Sequence, residues 1–290
     1  MKTSTLQGYL FKNMGLLRLS GEKAGSLLHG QLTNSINTLL KGESNYNLFL
    51  NTKGKVMADA WVYRNDLDFF ILCEKMFLNK IKEQLGRLAP LSRVILTDET
   101  ASYFFLHLFS KNPSWDSWKN KGMMIPTNRL GYPGIDLIGD ITHQNEVLDV
   151  LKKNGFVLCS PEKAEAMRIE AGIPQVGIDV TEENLPQEGK LDLALHFTKG
   201  CYLGQEIIAR LHYKGHVNKI LCHFKMEKSE TIPQQGDLLF SQDKEVGKLT
   251  SVAQATDHSG FFMLGYLSSK AYDNKMPVML GSKIIRLLNA

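Results

Sequence analysis

From about Val217 to Ala290 helical periodicity is scarce, and short apolar runs alternate with turn residues: Pro233, Gly236-Asp237, Gly247, Gly260, Gly265 and Gly281. Runs of that length between such turns read as strands, and the pattern predicts an all-β unit, a small barrel. The rest of the chain must then build its own core from elements of a different kind.

Upstream, strands run into helices. Ser20-Gly21-Glu22 reads as a helix entry, with Ala24, Leu27, Leu28 and Gln31-Leu32 at helical spacing behind it. Tyr46, Leu48 and Leu50 share one strand face, and Asn51-Thr52-Lys53-Gly54 turns the chain back. Val56, Ala58, Ala60 and Val62 form a second strand face, with Met57, Asp59 and Trp61 on the other. Asn65-Asp66 turns again into Leu67–Leu72, and an amphipathic helix with Phe77, Ile81, Leu85 and Leu88 stops before Pro90. A second strand-and-helix set covers Ser102 to Gly172; Ser160 and Pro161 open its last helix, and Gly172 and Pro174 end it. A chain of 290 residues holds two or three packed units. The fold class expected is α+β, with one lobe over 1–100, a second over 101–216 and the barrel over 217–290.

Composition excludes some functions. Lys and Arg total 34 against 30 Asp and Glu, a net charge of +4, and no run concentrates the basic residues, which argues against direct nucleic-acid binding. No stretch approaches 18 consecutive apolar residues and no signal-peptide pattern opens the chain, so a cytoplasmic, non-membrane protein is expected. Cys73, Cys159, Cys201 and Cys222 are widely spaced, without a C-x-x-C pair or a zinc-like His cluster. They indicate a reducing compartment and no permanent metal in the isolated chain.

The densest chemical signal runs from His196 to Arg210, through Lys199-Gly-Cys-Tyr-Leu-Gly-Gln-Glu206. Gly200 and Gly204 permit a tight loop, and Gln205 and Glu206 open a helix whose free amide groups face it. Tyr202 and Cys201 lie inside that loop. Cys201 reads either as a small apolar side chain or as a thiolate favoured by the helix terminus and Lys199. Arg168-Ile-Glu170 ends another helix, where a carboxylate is disfavoured by the dipole unless it meets a ligand. Asp59 shares an apolar strand face with Met57 and Trp61 and needs a partner to offset its desolvation; an edge position facing water would serve equally. Arg210 follows Glu206 by four residues, the spacing of a helical ion pair.

These segments together resemble the YgfZ/GcvT folate-binding family over almost the whole chain. The octapeptide Lys199–Glu206 resembles the signature of the YgfZ branch. Leu28-His-Gly-Gln-Leu-Thr-Asn34, Lys53-Gly-Lys55, Arg168–Pro174, Leu185-Pro-Gln-Glu188, Arg210, Gly247–Ser251 and Leu264–Leu267 occur in the family's order. The resemblance implies a ring of two mixed α+β lobes with a C-terminal β-barrel, and tetrahydrofolate or another reduced folate in a central channel. It further implies a role in assembling or repairing iron–sulfur clusters, with assembly factors or client enzymes as partners and tRNA modification served indirectly. By the same resemblance Glu170 holds the pterin, Arg168 and Arg210 belong to the folate set, and Cys201 is the functional thiol. Asp59 corresponds to the catalytic aspartate of the aminomethyltransferase branch, so a folate-dependent aminomethyltransferase or demethylase is the alternative function.

Overall fold

A computed structural model describes residues 7–110, 121–230 and 232–288. Part of the predicted 101–216 lobe, residues 111–120, lies outside that description. The first elements are β1 (Gln7–Phe11), β2 (Met14–Ser20), α1 (Ala24–Gln31), β3 (Ser44–Leu50), β4 (Val56–Asn65) and β5 (Asp68–Glu74). Then come α2 (Leu78–Gly86), β6 (Ile95–Asp98), β7 (Tyr103–Phe109), β8 (Met123–Thr127), β9 (Gly134–Asp140) and α3 (Gln144–Lys153). Next are β10 (Val157–Leu158), α4 (Pro161–Glu170), α5 (Gln205–Lys214), β11 (Lys219–Glu227) and β12 (Leu238–Ser241). The chain closes with β13 (Lys244–Gln254), β14 (Gly260–Ser268), α6 (Ser269–Asp273), β15 (Val278–Leu280) and β16 (Lys283–Leu287).

One five-stranded sheet has the order β3-β4-β5-β2-β6. In β4 the expected alternation holds: Val56, Ala58, Ala60 and Val62 are buried, while Met57, Asp59 and Trp61 are less so. The helix expected from Ser20 begins only at Ala24, because β2 continues through Ser20, which pairs with Ile95 of β6. A second sheet has the order β10-β1-β7-β9-β8. Its member β1 comes from the start of the chain and pairs with β7, Leu10 opposite Leu106. Gly8 is required there, since a Cβ would stand 2.4 Å from the His107 carbonyl oxygen and 2.7 Å from the Phe156 ring.

The last six strands close a barrel in the order β11-β14-β13-β12-β15-β16, as the turn-rich segment predicted. Phe224, Leu249, Met263, Leu267 and Ile285 are among the side chains that fill it. Helix α4 ends in the predicted manner: Gly172 takes φ +72° and the Ile173 amide reaches back to the Arg168 carbonyl. A Cβ at Gly172 would meet the His223 ring at 2.8 Å, so both backbone and space demand glycine.

The chain divides into two compact units. One comprises Met1–Thr52, Met57–Ser160 and Leu193–Gln205 and contains both open sheets; the other comprises Lys53–Val56, Pro161–Asp192 and Glu206–Ala290 and contains α4 and the barrel. Among the described residues no helix is long and apolar enough to cross a membrane.

Candidate functional site

In the first unit, the loop of the octapeptide is laid along the segment that ends α1. The His196 amide donates to the Thr33 carbonyl (3.1 Å), the Thr33 hydroxyl to the Ala194 carbonyl (2.6 Å) and the Leu203 amide to the Gly30 carbonyl (3.2 Å). Two motifs more than 160 residues apart therefore meet. Lys199 locks them: its Nζ donates to the carbonyl oxygens of His29 (2.7 Å), Leu32 (2.6 Å) and Asn34 (2.8 Å). His29 and Leu32 supply end carbonyls of α1, which a cation satisfies both by hydrogen bonding and by the helix dipole. The ammonium also lies 5.0 Å from the centroid of the buried Tyr202 ring. Burial pushes Lys199 down to about 8. Burial, with Lys199 and His196 nearby, likewise lowers His29, which accepts from the Ile36 amide through Nδ1.

This gives Lys199 a different task from the one expected of it, because all three of its N–H groups are engaged by carbonyls. Its work is to hold the loop. Gly204, at φ +82°, turns that loop into α5, and Gln205 Oε1 accepts from the Tyr202 amide (3.3 Å). Cys201 is exposed, whereas Cys73, Cys159 and Cys222 are buried. Burial pushes the Cys73 and Cys222 thiols up to about 12. Cys201 thus owes its distinction to access.

Elsewhere in the same unit Asp59 has the partner its strand face requires. The Tyr46 hydroxyl on the neighbouring β3 donates to Asp59 Oδ2 (2.8 Å), and its ring lies 5.5 Å from that of Trp61. Burial pushes the Asp59 carboxyl up, and the Tyr46 bond and the Arg129 guanidinium pull it partly back. Arg129, between β8 and β9, donates through Nε to Asp136 Oδ2 (2.5 Å), and Asp136 Oδ1 meets His107 Nδ1 at 2.9 Å. Asp136 is held low despite its burial, by Arg129 first and then His107. The sequence reading placed Tyr46 on a strand face without pairing it to Asp59, and it did not single out His107, Arg129 or Asp136. Their grouping depends on which strands are neighbours, and no local spacing encodes that.

The other unit holds Arg168, Glu170 and Arg210. Arg168 is buried, and its five N–H groups meet Glu165 Oε2 (2.9 Å) and Oε1 (2.6 Å), the Ile173 carbonyl (2.6 Å), Asp179 Oδ2 (2.8 Å) and Ser251 Oγ (3.1 Å). That leaves no donor for a folate, so its expected ligand role gives way to joining α4, the following loop and β13. Glu170, half-buried at the end of α4, accepts from the Thr256 hydroxyl (2.8 Å) and amide (3.3 Å) through one oxygen. Arg210 is exposed and forms no ion pair with Glu206. The Leu185–Glu188 segment, one of those that carry the family resemblance, is a tight turn: Glu188 is buried and accepts from the Leu185 amide (2.9 Å).

No family model matches the sequence. A tRNA-modifying protein YgfZ from Hamiltonella defensa is 24% identical over 266 residues, covering 85% of this chain and 77% of that protein. An aminomethyltransferase from Thermoanaerobacter pseudethanolicus is 23% identical over 312 residues, covering 96% and 78%. The crystal structure of the glycine cleavage system aminomethyltransferase T from Bartonella henselae superposes with a TM-score of 0.84 over 99% of this chain and 86% of that one, at 17% identity. Over most of its length the chain is similar to proteins of the YgfZ and aminomethyltransferase kinds. Its fold is that of the aminomethyltransferase. Within this fold, the unit of α4 and the barrel holds Glu170, and the unit of the two open sheets holds Asp59 and the clamped Cys201 loop.

Proposed function

We propose that this chain binds tetrahydrofolate or another reduced folate and acts as an accessory factor in the assembly or repair of iron–sulfur clusters, with Cys201 as its working thiol. The observation that carries the reading is the exposed thiol on a loop fixed by three lysine–carbonyl bonds. A side chain held in place and open to solvent suits exchange with a partner. One cysteine is too few to retain a cluster, which normally needs about four ligands, so the cluster belongs to client enzymes. Any effect on tRNA modification then runs through such a client.

Glu170 is the proposed pterin anchor. A pterin presents two N–H donors side by side, and a carboxylate matches that edge bidentately. Glu170 fits, because only two of the roughly four acceptor positions of a carboxylate are taken by Thr256. The free guanidinium of Arg210 is the proposed contact for the folate's anionic tail. Calorimetry with tetrahydrofolate tests the assignment: Glu170→Ala should weaken binding about ten- to hundredfold. Unchanged affinity in that variant removes Glu170 from the site.

One observation favours folate-dependent aminomethyl transfer as a second reading. Asp59 is a carboxyl raised by burial and restrained by Tyr46 and Arg129, a suitable state for steering a proton. Turnover of an aminomethyl donor with tetrahydrofolate, abolished by Asp59→Asn, would decide for this reading and against the first.

A further inference from the structure

The outer face of the barrel carries a polar site that the folate reading does not use. Tyr266 on β14 lies opposite Leu221 on β11 and Lys248 on β13. Strand alternation puts Lys219 on the same face as Leu221, and its ammonium lies 4.8 Å from the centroid of the Tyr266 ring. Above them is a pocket of about 310 Å³ whose walls include Asp179, Asn184, Lys219, Lys248, Thr250 and Tyr266. Asp59, Glu170, Cys201 and Arg210 take no part in its lining.

The unmet groups of this pocket are donors. Asn184 is 3% exposed; its Oδ1 accepts from the Thr181 amide (2.9 Å) and hydroxyl (3.2 Å), while its Nδ2 has no partner among the described residues. Tyr266 is 9% exposed and its hydroxyl is also without a partner there. Burial and the carboxylates of Glu188 and Asp179 push that phenol well up, so it stays a donor. Lys219 and Lys248 form no ion pair among the described residues.

The buried carboxylate of the lining, Asp179, is in contrast fully engaged. Asp179 Oδ1 accepts from the Thr250 and Ser251 hydroxyls (2.6 Å each), and Oδ2 from Arg168 (2.8 Å) and the Gln175 amide (2.9 Å). Glu183 also lines the pocket, and Lys55 donates to its carbonyl oxygen (2.9 Å) at the same edge. Buried donors without acceptors are costly, and a ligand rich in acceptors would relieve them.

We propose that this pocket binds a small anion, which presents carboxylate or phosphate oxygens to Asn184 Nδ2 and the Tyr266 hydroxyl while Lys219 and Lys248 supply the opposing charge. Its volume suits a small metabolite or one end of a larger one. Calorimetric titration with inorganic phosphate and, separately, with glutarate tests this. At least one probe should bind saturably with 1:1 stoichiometry, and the tighter of the two identifies the source as a phosphate ester or a carboxylate. Lys219→Ala and Lys248→Ala should each weaken binding about tenfold, the loss expected for one contact to a charged group. Asn184→Asp keeps the acceptor for Thr181 but replaces the donor with a carboxylate, and should lower affinity by about a hundredfold or more. Lys244→Ala, at the exposed start of β13 in the same barrel, should change nothing. If Asn184→Asp fails to fold, the two lysine variants decide. Absence of saturation by either probe at about 10 mM would overturn the proposal, as would equal binding by Lys219→Ala, Lys248→Ala and Lys244→Ala.

Discussion

Replacing Lys199 with Met removes the head group of the loop clamp and keeps the apolar stem that lies beside Tyr202. Nζ makes three hydrogen bonds of 2.6–2.8 Å to backbone carbonyls. Bonds to a charged group contribute about 1.5–3 kcal/mol each, or roughly 4.5–9 kcal/mol gross for three. The desolvation of the ammonium, which pushes it down to about 8, opposes that sum, and bonds made by one atom do not add independently. A net loss of about 2–4 kcal/mol is expected for Lys199→Met. Urea unfolding measures the total. Amide exchange at Leu203, whose N–H is bonded to the Gly30 carbonyl, reports the loop itself and should accelerate. The pH dependence has a defined sign. The folded value lies below the usual 10.5, so between about 8 and 10.5 the folded chain binds fewer protons than the unfolded one. Wild type should therefore gain stability relative to Lys199→Met as pH rises through that window. A change below about 0.5 kcal/mol, with unaltered exchange at Leu203, would refute the clamp.

Two further perturbations probe the buried charges. Arg168→Met strands the Asp179 carboxylate and should cost about 3–5 kcal/mol in thermal or urea unfolding; a loss under about 1 kcal/mol would mean the network carries little. Tyr46→Phe removes the donor that favours the ionised carboxyl, so the Asp59 pKa, already raised, should rise further when followed by carbon-13 NMR of the carboxyl; a fall would contradict the arrangement.

The sequence was most legible where geometry is local. Strand alternation in Val56–Val62, the Pro161 and Gly172 ends of α4 and the turn-rich barrel segment all follow from contacts between near neighbours in the chain. The same locality set the limits. Lys199 looked like a charge beside Cys201, since nothing marks the backbone carbonyls of His29, Leu32 and Asn34 as its acceptors. Asp59 visibly needed a partner, yet naming Tyr46 requires knowing that β3 lies beside β4. The first strand joins the second sheet because Gly8 admits close packing against His107 and Phe156, a long-range fit that periodicity does not express. Arg168 came to attention through the family pattern, but the ring of acceptors around it spans Glu165 to Ser251 and emerges only in the folded chain.

The central claim is that the exposed Cys201 thiol serves iron–sulfur enzymes while folate binding rests on other residues. Its most direct measurement is the activity of an iron–sulfur enzyme in cells whose own copy of this protein is replaced by Cys201→Ala, with the purified variant's tetrahydrofolate affinity as internal control. The account predicts that affinity stays within about twofold of wild type, since a small thiol contributes little to a pterin site, while the enzyme's activity falls to that of cells lacking the protein. Full enzyme activity with Cys201→Ala would contradict it and leave the octapeptide as a structural loop held by Lys199.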